Sequence, residues 1–442
     1  MLIKYIILGL YFGILFLIGI LASKKISGAK DYFVGGKKLG YWVVAFSSRA
    51  TGESAWLLLG LTGLGAMSPN GIGKKKFWTN TCNGISGIRR ISSFDPSSLS
   101  CQIAGEIQGF DPSEYYSETD LKKLSRSVPL AIATAKEALH DSAIDLTQFN
   151  EEDFESLGVI VGTGGAGFDF SEKQFEIFFS DQKNKISPYA ISNSLVGMLS
   201  SEISMYFGLQ GRSHIVSNGC TSSTDAIGYT FNTIRSGQED WVLTGGVEAC
   251  VTPAMMVGFE RMRVNPTHYN DDPTRGSRPF NLDREGFVLS EGSWMMILEE
   301  LEHANRRDAT IYGEVLGYGS TCDAYHRVAI MPDGKQSTRA IHLALKDAKI
   351  NKEQVDYINF HGTSTIVNDK VETLAVKNLF NSLSPKIPVS STKSMIGHPQ
   401  GASGGLGVSV SLLSLYNNFL TPTINQENPD PDCDLDRSEE RR

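Results

Sequence analysis

The hydrophobic pattern of the chain changes character twice. Residues 3–22 are almost wholly apolar, with Lys4 at the outer edge. A run of roughly 20 such residues spans a bilayer as a helix. A signal peptide is the rival reading, but the run is long for one and no cleavage pattern follows it. A basic loop comes next, with Lys24, Lys25, Lys30, Lys37 and Lys38 against Asp31. By the positive-inside tendency this loop faces the cytoplasm. Residues 41–64 are mostly apolar again, interrupted by Ser47, Ser48, Arg49, Thr51, Glu53 and Ser54. Either this stretch is a second membrane helix, or its WLLLGL run at 56–61 is a buried strand. The first arrangement puts the rest of the chain outside the cytoplasm. The second spans once and keeps the rest inside, and it is the favoured expectation.

Beyond residue 68 the pattern becomes that of a globular protein. Apolar strands at 157–162, 241–243 and 357–360 alternate with helical periodicity at 130–140, 225–236 and 338–348. Such alternation predicts an α/β fold with helices covering a sheet. No later segment is long and apolar enough to span a membrane.

Composition narrows the function. The chain has 442 residues and is 41% hydrophobic, enough for a sizeable core. Its net charge of −8 excludes a general nucleic-acid binder, so no nucleic-acid partner is expected. Six scattered cysteines (Cys82, Cys101, Cys220, Cys250, Cys322 and Cys433) form no CxxC pair. That excludes the usual zinc spacings and a disulfide framework, and points to a reducing compartment. No metal or redox cofactor is expected.

The first 65 residues resemble the start of the sodium/solute symporter family. The strings SGAKDYFVGGKKLGYW and ATGESAWLLLGLTG carry the likeness. It implies an unwound turn near residues 50–53 that helps hold sodium. A transporter of that type needs many more helices for its midplane site, so transport by this chain is not expected.

Three positions elsewhere carry candidate chemistry. In SNGCTSSTDAIG, Cys220 follows Gly219 and precedes a helix rich in small residues. The positive end of that helix favours a thiolate nucleophile, while a buried capping cysteine would look the same. His361 lies in FHGTST after the apolar YINF, and His398 ends SSTKSMIGH after IPV. A lone histidine at a strand end is more often structural than catalytic.

Taken together, these strings resemble the β-ketoacyl-acyl-carrier-protein synthase family, as does TGLGAMSPNGIG from Thr62 onward. The set matches the Cys-His-His class of condensing enzymes. The resemblance implies a thiolase-like, duplicated five-layer α-β-α-β-α fold and a homodimer. Residues 62–305 would form the half with the nucleophile and 306–442 the half with both histidines. One or two transmembrane helices in the symporter-like segment 1–61 would precede them and supply a membrane contact. The implied partner is an acyl carrier protein, whose phosphopantetheine carries the substrates, with no separate cofactor. Cys220 would hold the acyl group, while His361 and His398 assist decarboxylation of a malonyl thioester. Lys393 would belong to their network and Glu372, in DKVET, would order it. Thr363 and Thr365 would bind the phosphopantetheine arm, and RPFNLDREGFVLSEG at 278–292 would support the site.

The end of the chain departs from the family pattern. NPDPDCDLD is followed by DRSEERR, where the family continues into a Gly-Phe-Gly-Gly loop and a closing strand. That loop gives the family one oxyanion-hole N–H, and losing such a donor costs about 3 kcal/mol. The expectation is a C-terminally truncated 3-oxoacyl synthase of fatty acid biosynthesis with reduced activity. A type II polyketide or polyene ketosynthase, or an inactive chimeric fragment, is the alternative.

Overall fold

The computed structural model describes residues 59–180 and 182–436. Its main sheet has seven strands. Five of them are β1 (Leu59–Ser68), β2 (Leu157–Gly162), β3 (Ser213–Val216), β4 (Trp241–Glu248) and β5 (Gly292–Glu300). β1 runs antiparallel to β5, β5 antiparallel to β4, β4 parallel to β2, and β2 parallel to β3. Two-residue strands at Gly71–Ile72 and Gly313–Glu314 pair with the two ends of β1.

The middle of that β1 edge is covered in another way. Helix α1 (Ser127–Asp141) lies across it. The N–H of Leu64 donates to Asp141 Oδ2 at 3.0 Å, and that of Ala66 to Glu137 Oε2 at 2.9 Å. Acids four residues apart on one helix face thus cap backbone donors that have no strand beside them. The approach is close because β1 carries glycine there. A Cβ on Gly63 would lie 2.2 Å from the Ala138 carbonyl oxygen, and one on Gly65 would lie 2.0 Å from that of Thr134.

A bulge between Leu61 and Gly63 releases Thr62 from the ladder. Its hydroxyl reaches the buried carboxylate of Glu299, which also accepts from His303 Nδ1 at 2.7 Å and Arg307 Nε at 3.0 Å. Burial pushes the Glu299 carboxyl up, but these donors outweigh it and hold the group at about 2.

Four more helices complete the layers: α2 (Ser222–Arg235), α3 (Lys335–Ala348), α4 (Ile366–Phe380) and α5 (Ser403–Asn417). α1 packs on one face of the sheet through Leu130, Ile132 and Ala135. α2 and α5 pack on the other through Ile227, Phe231, Leu406 and Val410. Beyond them lie two short parallel strands, β6 (Ile358–Asn359) and β7 (Val389–Ser390). α3 and α4 cover these with Ile341, Leu345, Val376 and Phe380. The order is therefore helix, sheet, helix, sheet, helix, as the resemblance implies. The two sheets are unequal: among the described residues the second has two strands, and β6 lines a cavity of about 800 Å³.

The expected transmembrane helices need correction. Among the described residues, no helix is long and apolar enough to cross a membrane. A second span over 41–64 is overturned because residues 59–64 belong to β1. There the backbone groups bond sideways to β5, where a helix would bond along its own axis. The expected first span at 3–22, and the symporter-like strings up to residue 58, lie outside the described residues.

Replacing Gly65 with Ala tests the α1–β1 contact. The added methyl meets a carbonyl that moves only with the helix, so stability falls by roughly 1–3 kcal/mol or more. A lower urea midpoint with unchanged slope is the expected reading, and an unchanged midpoint would show that this contact is not tight.

Candidate active site

Cys220 lies between β3 and α2 in a single 3-10 turn, Gly219–Thr221. Gly219 takes φ +66°, a conformation that suits glycine, and so turns the chain sharply onto the helix. The turn is tied down on both sides. Asn218 N–H donates to Ser222 Oγ at 2.9 Å, and the Thr221 hydroxyl to Asp225 Oδ2 at 3.0 Å. The result is a half-buried thiol at the entrance to α2.

His361 follows β6. Its backbone N–H and that of Gly362 donate to the two oxygens of Glu372 at 2.6 and 2.8 Å. Glu372 comes from α4, so the helix that covers the second sheet also orients the His361 loop. His398 is held by its main chain, which pairs with residues 288–290. Its N–H donates to the Val288 carbonyl at 2.7 Å, and its carbonyl accepts from Ser290 N–H at 3.1 Å. The segment 278–292 therefore supports the site through its backbone. Arg284 in the same segment donates to the Thr365 carbonyl at 3.0 Å and to Asp430 at 2.7 Å.

The ligand atoms of Cys220, His361 and His398 all lie within 4.8 Å of one another. The imidazoles are 5.1 Å apart and nearly perpendicular, and Phe287 packs edge-on to His398. Nδ1 of His398 accepts the backbone N–H of Gln400 at 3.1 Å and lies 3.2 Å from the Ser403 hydroxyl. A backbone N–H can only donate, so Nδ1 must be the bare nitrogen and Nε2 carries the proton. Burial and the charge of Lys393 push the His361 pKa well below the ordinary value. Burial, His361 and Lys393 do the same to His398. Both rings are neutral at physiological pH.

Three donor atoms this close have a spacing that zinc accepts. The chemistry argues against a resident metal, because the one lone pair of neutral His398 is already engaged at Nδ1.

Lys393 is buried beside the triad and lines the same cavity as Cys220, His361 and Glu372. Burial lowers its pKa against the pull of Glu372, while burial raises that of Glu372. Thr363 and Thr365 face each other, with hydroxyls 2.9 Å apart. Thr365 stands at the N-cap of α4 without a capping side-chain bond, so its hydroxyl has no capping duty. Between them Ser364 takes φ +70°, which turns both threonines to one side.

One expectation shifts. The helix end was expected to favour a thiolate at Cys220. Burial instead pushes this thiol up, with Lys393 as the main opposing influence. The resting sulfur keeps its proton and donates it to Gln400 Oε1 at 3.7 Å.

Two residues at the site escaped the sequence reading. Gln400 stands two places beyond His398, outside SSTKSMIGH. Glu248 ends β4 as an acid in an apolar strand, which was the available signal. It accepts the N–H groups of Gly164, Gly165 and Gly401 at 2.7–3.1 Å, and burial raises it to about 7. It thus fastens the loop after β2 to the loop after His398.

Known proteins share this arrangement of chain. Residues 60–304 match the family model for the beta-ketoacyl synthase N-terminal domain, and 312–427 match that for its C-terminal domain. A 3-oxoacyl-acyl-carrier-protein synthase 2 from Synechocystis sp. is 40% identical over 85% of this chain and 89% of the relative. One from Coxiella burnetii is 39% identical over 85% and 90%. A solved beta-ketoacyl synthase from Burkholderia phymatum superposes with a TM-score of 0.78 at 28% identity, covering 87% of this chain and 93% of that one. A ketosynthase solved with its type II polyketide acyl-carrier protein gives 0.78 at 30% identity, covering 86% and 92%. With both domain models matched and relatives of this identity along most of its length, the chain belongs to the beta-ketoacyl synthase family.

Proposed function

We propose that the protein is a 3-oxoacyl-acyl-carrier-protein synthase that joins a malonyl unit to an acyl group held on Cys220. The observation that carries this reading is a neutral histidine pair beside a thiol, with the His398 proton placed on Nε2. In the first half-reaction the Cys220 sulfur attacks the carbonyl carbon of an acyl thioester on the carrier. A new S–C bond forms, the carrier sulfur leaves, and the proton lost by Cys220 ends on that sulfur. In the second, a malonyl thioester loses carbon dioxide and its electron pair becomes an enolate. Neutral imidazole N–H groups stabilise the charge on the thioester oxygen without giving up a full proton. The carbanion then attacks the acyl carbon on Cys220, and the sulfur leaves as the carbon–carbon bond forms. Lys393 supplies positive charge to the cluster, and Glu372 holds the His361 loop. Thr363 and Thr365 bind the phosphopantetheine arm, so the partner is an acyl carrier protein and no separate cofactor takes part.

In this reading residues 62–305 and 306–442 are the two halves of the enzyme, one bearing the nucleophile and the other both histidines. The pathway is fatty acid biosynthesis, since the 3-oxoacyl relatives reach 37–40% identity. A type II polyketide role is the second reading, favoured by solved polyketide neighbours at 30% and 31%. We also assign a homodimer. Among the described residues β3 ends the main sheet with one edge unpaired, and Phe175, Phe179, Ile191, Leu195 and Met205 are exposed on the elements before it.

Four outcomes are expected. Intact-protein mass spectrometry after incubation with an acyl-carrier thioester gives an acyl adduct, which Cys220→Ala removes; an adduct that survives the change rejects the nucleophile. His398→Ala lowers malonyl decarboxylation by about 10²–10³, read as carbon dioxide release, while acylation of Cys220 falls far less. Lys393→Met removes the charge that favours the thiolate, so the Cys220 pKa moves up. Iodoacetamide then alkylates the sulfur roughly ten-fold more slowly at pH 8, with the profile displaced to higher pH; a profile moved to lower pH would contradict this role. Sedimentation finds the protein at twice its 48.3 kDa chain mass, and a monomer at micromolar concentration would remove the dimer assignment.

A further inference from the structure

Among the described residues, the buried amide beside Cys220 has a donor with nothing to bond. Nε2 of Gln400 has no hydrogen-bond partner among the described residues, although the side chain is only 9% exposed. Such groups are uncommon in folded proteins, because a buried donor left unpaired is costly. The other end of the same amide is engaged. Oε1 accepts the Cys220 thiol proton at 3.7 Å. The amide therefore lies against the nucleophile, with its donor end idle in the resting enzyme.

The backbone holds this placement firmly. Gln400 N–H donates to His398 Nδ1 at 3.1 Å. The next residue, Gly401, donates to Glu248 at 3.0 Å. Gln400 itself takes φ +36°, which L residues rarely adopt. Strain of this kind persists where surrounding bonds over-determine it, and it gathers at functional sites.

We propose that Gln400 is a catalytic residue whose side-chain amide donates a hydrogen bond to the thioester oxygen of the acyl group on Cys220. This rests on the reading of Cys220 as the acyl carrier. As Cys220 gives up its proton to attack, Oε1 loses the S–H it accepted. Half a turn of the amide brings Nε2 to the position Oε1 occupied, so the idle donor meets the thioester oxygen during the attack and stays with it in the acyl-enzyme. Negative charge develops on that oxygen twice, once as Cys220 attacks the incoming thioester and once as the carbanion attacks the acyl-enzyme. An amide donor held beside the sulfur is worth most at those moments, since it stands where water would otherwise have to reorganise. The backbone N–H of Cys220, in the first turn leading into α2, is the natural companion donor. No proton is transferred to or from Gln400, and no other reactant enters.

The test compares two reactions in the full-length protein and in two variants. Gln400→Met keeps the length and removes the amide, and Gln400→Leu removes the amide with a shorter apolar side chain. Single-turnover transfer of an acyl group from acyl-carrier thioester to Cys220 is read by intact mass. Decarboxylation of malonyl-carrier thioester is read by carbon dioxide release. Both variants are expected to lose roughly a hundred-fold in transfer while decarboxylation, whose charge lies at the histidines, falls by no more than about three-fold. Transfer within about three-fold of the unaltered protein in either variant overturns the proposal. An equal fall in both reactions overturns it too, since Gln400 would then act through His398. If the unaltered protein takes up no acyl group, the Cys220 reading fails and the proposal with it. If the unaltered protein is acylated and the variants match it, only the proposal fails.

Discussion

The hydrogen bond from Gln400 N–H to Nδ1 of His398 is a small contact with wide consequences. It decides which nitrogen of the ring carries the proton. With Nδ1 occupied, Nε2–H is the free donor and the ring has no lone pair left for a metal. The contacts around His398 hold the ring in place. Its main chain is clamped to Val288 and Ser290, and Phe287 closes one side of the ring. Glu248 anchors the following glycine.

Burial sets the charges. Five ionisable groups (Cys220, His361, Glu372, Lys393 and His398) crowd together, and desolvation is the largest influence on each of them. It makes the histidines neutral and the thiol protonated, and it weakens the hold of Lys393 on its proton. The attraction between Lys393 and the acids around it works against that loss. A neutral donor pair beside a protonated thiol is the resting state these effects produce together. Such a pair stabilises an enolate through hydrogen bonds while keeping its protons.

The scaffold makes that burial available. Both layers of the sheet direct loops to the same place: β3 feeds Cys220, β6 feeds His361, and β7 leads to Lys393 and His398. α2 and α5 bring their N-terminal ends together there, joined by the bond from Gly405 N–H to Ser223 Oγ at 2.9 Å. On the far side of the main sheet, the glycines of β1 let α1 approach and place Glu137 and Asp141 on an otherwise open strand edge.

The sequence by itself determined the α/β alternation, the helix that follows Cys220, and the three strings that carry Cys220, His361 and His398. These are local features, visible as periodicity, a glycine before a cysteine, or an apolar strand ending in a histidine. It was ambiguous at residues 56–64, where an apolar run suits a membrane helix and a buried strand equally well. Only pairing with β5 assigned residues 59–64 to the sheet, because strand pairing depends on a partner more than 200 residues away. The tautomer of His398, the raised thiol pKa and the parts played by Gln400 and Glu248 were tertiary decisions for the same reason. Each depends on which donors and charges surround a group once water has left, and that is a property of the folded interior.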